Sequence, residues 1–186
     1  MTPFYDAATR QRIAGLLAKA PASDFQPLSS VKFELPIAHP PKIVCLGLNY
    51  ADHAAETGNP IPKEPIIFIK SLGAFCGPND DVLRPRNSKK LDWEVELGIV
   101  IGRRARNVSL ANAFDYVAGF TIGNDLSARD RTARDKVDIK SPFRFDWIGQ
   151  KNFDGACPLG PWITLARDIP NPHDLKMVLD VNGVVK

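Results

Sequence analysis

Apolar residues recur with helical spacing near the start of the chain and with strand spacing through most of the remainder. Ile13, Leu16, Leu17 and Ala20 fall at i, i+3, i+4 and i+7, which predicts a helix over residues 6–20 with one apolar face. Asp6 suits its start and Pro21 its end. Such a helix packs on the main body of the protein or on a partner. Residues 21–42 are proline-rich. Only Val31–Leu35 alternates like a strand, and Pro36, Pro40 and Pro41 mark a linker. Residues 42–48 read as a buried strand, succeeded by a short helix that stops at Gly58. Residues 64–70 read as a strand that ends on Lys70, with Pro65 tolerated at its start. Leu110, Ala113, Phe114 and Val117 have helical spacing and precede an apolar run, residues 120–125, that ends on Asp125. Residues 126–135 are a charged helix or turn, and 138–148 an aromatic-rich loop. The stretch 149–162 is dense in glycine and proline. Residues 177–186 form a hairpin around Asn182-Gly183 whose second strand is cut after three residues, so the chain reads as a fragment ending inside a sheet.

One stretch carries more than fold information. In residues 92–102, acids alternate with apolar residues. In a strand, Asp92, Glu94 and Glu96 share one face and Trp93, Val95 and Leu97 the other. Carboxylates stacked this way repel one another unless they are solvated or compensated by a cation. A solvated outer strand is one reading and a metal ion the other. Asp125, delivered beside Glu94 and Glu96, would complete a three-carboxylate, all-oxygen site suited to Mg²⁺, Mn²⁺ or Ca²⁺. His53 and Glu56, at i and i+3 on the short helix, lie on one face, and a carboxylate on one imidazole nitrogen raises the basicity of the other. They are either a surface pair or a base with its orienting acid. Lys70 either snorkels to solvent or points into a site, and Arg129, four residues after Asp125, can return to it. Lys151, in a rigid turn, can bind an anionic oxygen.

Composition narrows the class. The 186 residues suffice for one sizeable domain with a short appendage. The balance of 24 basic and 21 acidic residues gives +3, with the basic residues interspersed among acids, which argues against nucleic acid. Cys45, Cys76 and Cys157 fit neither a metal pattern nor a disulfide framework. They read as packing residues in a reducing cytosol. The first residues do not resemble a signal peptide, and no apolar run approaches membrane-spanning length.

Taken together, five motifs in fixed order resemble the fumarylacetoacetate hydrolase superfamily. They are Gly-Leu-Asn-Tyr-x-x-His-x-x-Glu at 47–56, Pro-x-x-Phe-x-Lys at 65–70, Glu-Val-Glu-Leu-Gly at 94–98, Asn-Asp-x-x-x-Arg at 124–129, and Lys-x-Phe-Asp with Pro-Leu-Gly-Pro at 151–161. The resemblance covers residues 42–186 and leaves 1–41 as an N-terminal extension. It implies a mixed α+β, mostly β fold, with twisted sheets rolled around a central metal site, and a homodimer. It also implies that Glu94, Glu96 and Asp125 hold Mg²⁺ or Mn²⁺, and that Lys151 contacts substrate beside the metal. Lys70, Arg129 and Tyr50 then serve as substrate-binding positions, and His53 with Glu56 activates water. The implied substrate is a small 2-oxo acid. The expected reaction is hydrolysis of a C–C bond in an acylpyruvate-type 2,4-dioxo acid, giving pyruvate and a carboxylic acid. Isomerases, hydratases and oxaloacetate decarboxylases of the same superfamily are the alternative, and an inactive metal-binding fragment is a further one.

Overall fold

The computed structural model describes residues 6–186. Helix α1 spans Ala7–Leu17, and Asp6 caps it by accepting a hydrogen bond from the Thr9 amide at 2.8 Å. The helix ends three residues before the predicted Ala20. No residue in it is buried, and Leu16 and Leu17 are more than half exposed, so its apolar stripe finds no cover within the described residues. The strand expected at Val31–Leu35 is not formed. That segment has no strand neighbour. It is held by side chains instead: Phe33 packs edge-on against Trp162 and Lys32 pairs with Asp80 at 3.3 Å.

Strand β1 (Val44–Gly47), helix α2 (Ala51–Glu56) and strand β2 (Ile66–Ile69) come next, with β1 and β2 antiparallel. Gly58 stops α2 at φ +66°, where a side chain would be strained. The register sets Val44 against Ile69 and Leu46 against Ile67, and these four share one exposed face. Cys45 and Phe68, also paired, face the other way.

The central sheet has four strands. In the order β3–β8–β6–β5 these are Phe75–Cys76, Cys157–Leu165, Val117–Asn124 and Val95–Ile101. The β3–β8 pair is parallel and the others are antiparallel. Phe120 and Thr121, in the middle strand, are buried. A separate pair, β4 (Leu91–Asp92) and β7 (Ser127–Ala128), flanks this sheet.

The acidic segment is therefore two strands, not one. The chain leaves β7 at Asp92 and joins β6 at Val95. The Asn124 side chain meets the break by accepting the Glu94 amide at 3.1 Å. Residues 110–116 form a 3₁₀-helix, as do Arg129–Arg131. Residues Trp147–Lys151, which bridge the aromatic-rich loop and the glycine-rich stretch, form a short helix, α3, with Asp146 capping the Gly149 amide, so Lys151 ends a helix rather than sitting in a turn. The last hairpin pairs β9 (Asp180–Val181) with β10 (Val184–Val185). Its turn residues Asn182 and Gly183 both have positive φ, the type I′ geometry that Asn-Gly favours. No helix among the described residues is long and apolar enough to cross a membrane.

Gly119 shows how closely β6 and β8 approach. A Cβ there would lie 2.2 Å from the Thr164 carbonyl oxygen, a backbone atom that cannot swing aside. Gly119→Ala is expected to destabilise the fold by about 3 kcal/mol or more, measured by urea unfolding.

Candidate active site

Five elements deliver charged side chains to one place. Lys70 directly follows β2, Asp125 follows β6, Glu94 lies in the break before β5, Arg129 opens a 3₁₀ turn, and Lys151 ends α3. The Lys151 ammonium sits 2.8 Å from both oxygens of Glu94 and 2.7 Å from Asp125 Oδ2. The Lys70 ammonium lies 2.5 Å from Asp125 Oδ1 and donates to the Ala156 carbonyl at 3.2 Å. Arg129 bridges two acids, with Nε on Asp92 Oδ2 at 2.8 Å and Nη2 on Glu94 Oε1 at 2.7 Å. Lys70, Asp125 and Lys151 are all buried. Charges out of water need such partners, because a lone buried ion costs several kcal/mol.

Residues that sequence reasoning passed over complete the arrangement. Ser127 donates to Glu94 Oε1 at 2.6 Å. Asn152 accepts the Ser71 amide and donates to the Ile69 carbonyl at 3.2 Å, which ties the end of α3 to the end of β2 and keeps Lys151 beside Lys70. Asn49 donates to Glu96 Oε2 at 3.2 Å. The Phe68 ring, stacked on Trp147, lies 5.6 Å from the Lys151 nitrogen. Asn49 and Asn152 stand inside the five motifs, and Ser127 two residues after Asp125. Their positions were visible, but not the atoms they would reach.

Glu96 stands apart from the other acids. Burial pushes its carboxyl above the usual range; hydrogen bonds from Asn49 and Tyr50 pull the other way, and the charges of Asp125 and Glu94 add to the rise. The Tyr50 hydroxyl accepts the Leu97 amide at 3.1 Å, and burial pushes its phenol up to about 12. Burial likewise pushes the thiols of Cys45 and Cys157 up to about 11 and about 12, so both stay neutral. His53 and Glu56 face each other on α2 with Nδ1 and Oε2 3.8 Å apart, at the open surface. Neither shares a hydrogen bond or ion pair with the charged cluster among the described residues.

The donor set is that of a hard cation: three carboxylates, two of which already converge on one positively charged nitrogen. Glu94, Glu96 and Asp125 therefore fit Mg²⁺ or Mn²⁺ in their chemistry. Among the described residues, however, no three acidic or other ligating side chains are drawn together as tightly as a metal requires. Lys151 and Arg129 hold the carboxylates in that arrangement.

Two measurements test this electrostatic picture. Lys151→Met removes the cation that, among the described residues, Glu94 and Asp125 share, and is expected to cost about 3–5 kcal/mol of stability by chemical unfolding. For Glu96, the raised carboxyl means that the folded state holds its proton more tightly than the unfolded chain does. Its stabilising contribution is full below the ordinary value of 4.5 and is lost as pH rises through the higher folded value. Glu96→Gln is thus expected to raise the melting temperature at neutral pH, with the gap to the parent closing below pH 4.5.

Comparison with known proteins shows the family. The family model described as fumarylacetoacetate (FAA) hydrolase C-terminal matches residues 42–186. The human oxaloacetate tautomerase FAHD2A, a mitochondrial protein, is 40% identical over 185 residues, which is 100% of this chain and 57% of that protein. The crystal structure of 2-hydroxyhepta-2,4-diene-1,7-dioate isomerase from Mycobacterium marinum is 40% identical, with a TM-score of 0.69 over 87% of this chain and 55% of that one. The structure of 5-carboxymethyl-2-hydroxymuconate delta-isomerase from Mycobacterium smegmatis is 38% identical, with a TM-score of 0.66 over 86% of this chain and 59% of that one. The chain thus spans somewhat more than half the length of each of these relatives. The fold is mixed α+β and mostly sheet, as theirs is, and the chain belongs to the fumarylacetoacetate hydrolase family.

Proposed function

We propose that the chain serves proton transfer at the carbon beside the carbonyl of a small 2-oxo dicarboxylate, interconverting its keto and enol forms. The observation that carries this reading is the convergence of Lys70, Lys151 and Arg129 on Glu94 and Asp125. Loss of a proton from C3 leaves negative charge on the 2-oxo oxygen, and such chemistry needs fixed cations where that charge develops. The named activities of the relatives, an oxaloacetate tautomerase and two isomerases, support proton transfer over C–C cleavage.

Glu94, Glu96 and Asp125 are the residues that would hold Mg²⁺ or Mn²⁺, which when bound supplies a Lewis acid for the oxygens of the 2-oxo acid. Lys151, at the centre of the cluster, is the protein's own donor to the oxygen that gains charge. Lys70 fixes Asp125, and Arg129 holds Glu94 and Asp92 side by side. His53, with Glu56 facing Nδ1, presents Nε2 as the base: it takes the C3 proton and passes it to solvent, while the carbonyl oxygen takes one from solvent water to give the enol. The C=O π bond gives way to a C=C bond, and no C–C bond breaks.

Hydrolysis of a 2,4-dioxo acid is the second reading. It is favoured by the solvent access of His53 and Glu56, which places the same pair where it can meet water. The working unit in either case is a homodimer, a reading supported by the uncovered aliphatic face of β1 and β2.

Adding the enol form of oxaloacetate and recording the decay of its ultraviolet absorbance separates the readings. The expected result is acceleration that EDTA abolishes and Mg²⁺ or Mn²⁺ restores. His53→Gln is expected to lower that rate by about 10²–10⁴-fold. Metal-dependent pyruvate release from an acylpyruvate, with no effect on the enol, would assign hydrolysis instead.

A further inference from the structure

The turn between β1 and α2 is bent in an unusual way. Leu48 has φ +50°, a left-handed conformation that a bulky side chain rarely adopts and that persists only where surrounding contacts impose it. The contacts are on the next two residues. Asn49 donates to Glu96 Oε2 at 3.2 Å. The Tyr50 hydroxyl accepts the Leu97 amide at 3.1 Å. Strand β5, which carries both Glu96 and Leu97, is the outer strand of its sheet. Its open edge is met here by Tyr50 rather than by another strand. Asp92, Glu94 and Asp125 each have a lysine or arginine partner. Among the described residues Glu96 has no ion-pair partner and is held by neutral donors alone.

We propose that Leu48, Asn49 and Tyr50 form a strut that fixes Glu96 as the third oxygen donor for a divalent cation and couples it to helix α2. Asn49 and Tyr50 are then positioning residues, and Tyr50 acts through Glu96 rather than on substrate. The proposal rests on the reading of Glu94, Glu96 and Asp125 as the metal donors. Its physical content is that a half-buried carboxylate without a cation has no preferred direction unless donors supply one. Here the donors belong to the turn that launches α2. Whatever draws on Glu96 is therefore felt at His53 and Glu56, and the coupling is reciprocal.

The test uses the 186-residue chain with Asn49→Ala and Tyr50→Phe. Asn49 is exposed and Tyr50→Phe removes only a hydroxyl, so neither change threatens the core. Mn²⁺ affinity is measured from the electron paramagnetic resonance of the free ion, and thermal unfolding is recorded alongside. The expected result is Mn²⁺ binding weakened by about 10-fold or more in each variant, with melting temperatures close to the parent's. Separately, the ring protons of His53 are observed by NMR as Mg²⁺ is added. The chain has three histidines, and His53→Gln assigns the resonance. The His53 signal is expected to move with Mg²⁺ in the parent and to stay still in the variants at saturating Mg²⁺. Unchanged Mn²⁺ affinity in both variants overturns the strut. A His53 signal that moves equally in parent and variants overturns the coupling to α2. A parent chain that binds no Mn²⁺ refutes the metal-donor reading itself and the strut with it, so the two failures are told apart.

Discussion

The ammonium of Lys151 is the point on which the structure depends. It contacts both oxygens of Glu94 and one of Asp125, residues that lie 57 and 26 positions away in sequence. Without it, two carboxylates would face each other in a place largely closed to water, which repulsion and desolvation together forbid. Lys70 and Arg129 extend the same compensation to the outer oxygens. The result is a lattice of alternating charge that fixes the ends of β2, β6 and α3 relative to one another. The fold and the candidate chemistry are therefore held by one set of contacts.

This has a consequence for stability. Among the described residues, the buried ones include as many polar or charged side chains (Lys70, Ser88, Thr121, Asp125, Ser127, Gln150 and Lys151) as apolar ones. The apolar members are mostly small, so hydrophobic burial is modest while large aliphatic residues such as Ile67, Ile69 and Ile122 remain exposed. Buried ion pairs contribute little net stability compared with apolar packing of equal volume, but they are costly to break one side at a time.

The membership of the fumarylacetoacetate hydrolase family and the position of α2 fit together. The charged cluster is largely buried, while His53 and Glu56 ride on a six-residue helix at the surface. Under the proposed function, the charged side chains come from strand ends, a 3₁₀ turn and α3, and the His53/Glu56 pair from a short helix open to solvent. Different reactions of 2-oxo acids can share the first set and differ in the second. That is why the motifs point to the family more firmly than to one reaction.

Much was determined locally by the sequence. Asp6 as a cap, Gly58 as a stop, the Asn182-Gly183 turn, and the strands that end at Lys70 and Asp125 all arise from the conformational preferences of a few adjacent residues. The five motifs named the family and drew attention to Glu94, Asp125, Lys151 and Arg129, which the structure brings together. The sequence did not determine the outcomes set by partners far along the chain. Val31–Leu35 alternates like a strand but has no neighbour to pair with. The acidic run reads as one strand but switches partner between Asp92 and Val95. The apolar stripe of α1 is present, but whether anything covers it is not written in its spacing. Periodicity reports which face a residue takes on its own element. Which opposite charge it meets, and whether Glu96 joins a lysine or an asparagine, was decided only when β2, β5, β6 and α3 were brought together, because Coulomb and hydrogen-bond energies depend on distance in space and not on separation in sequence.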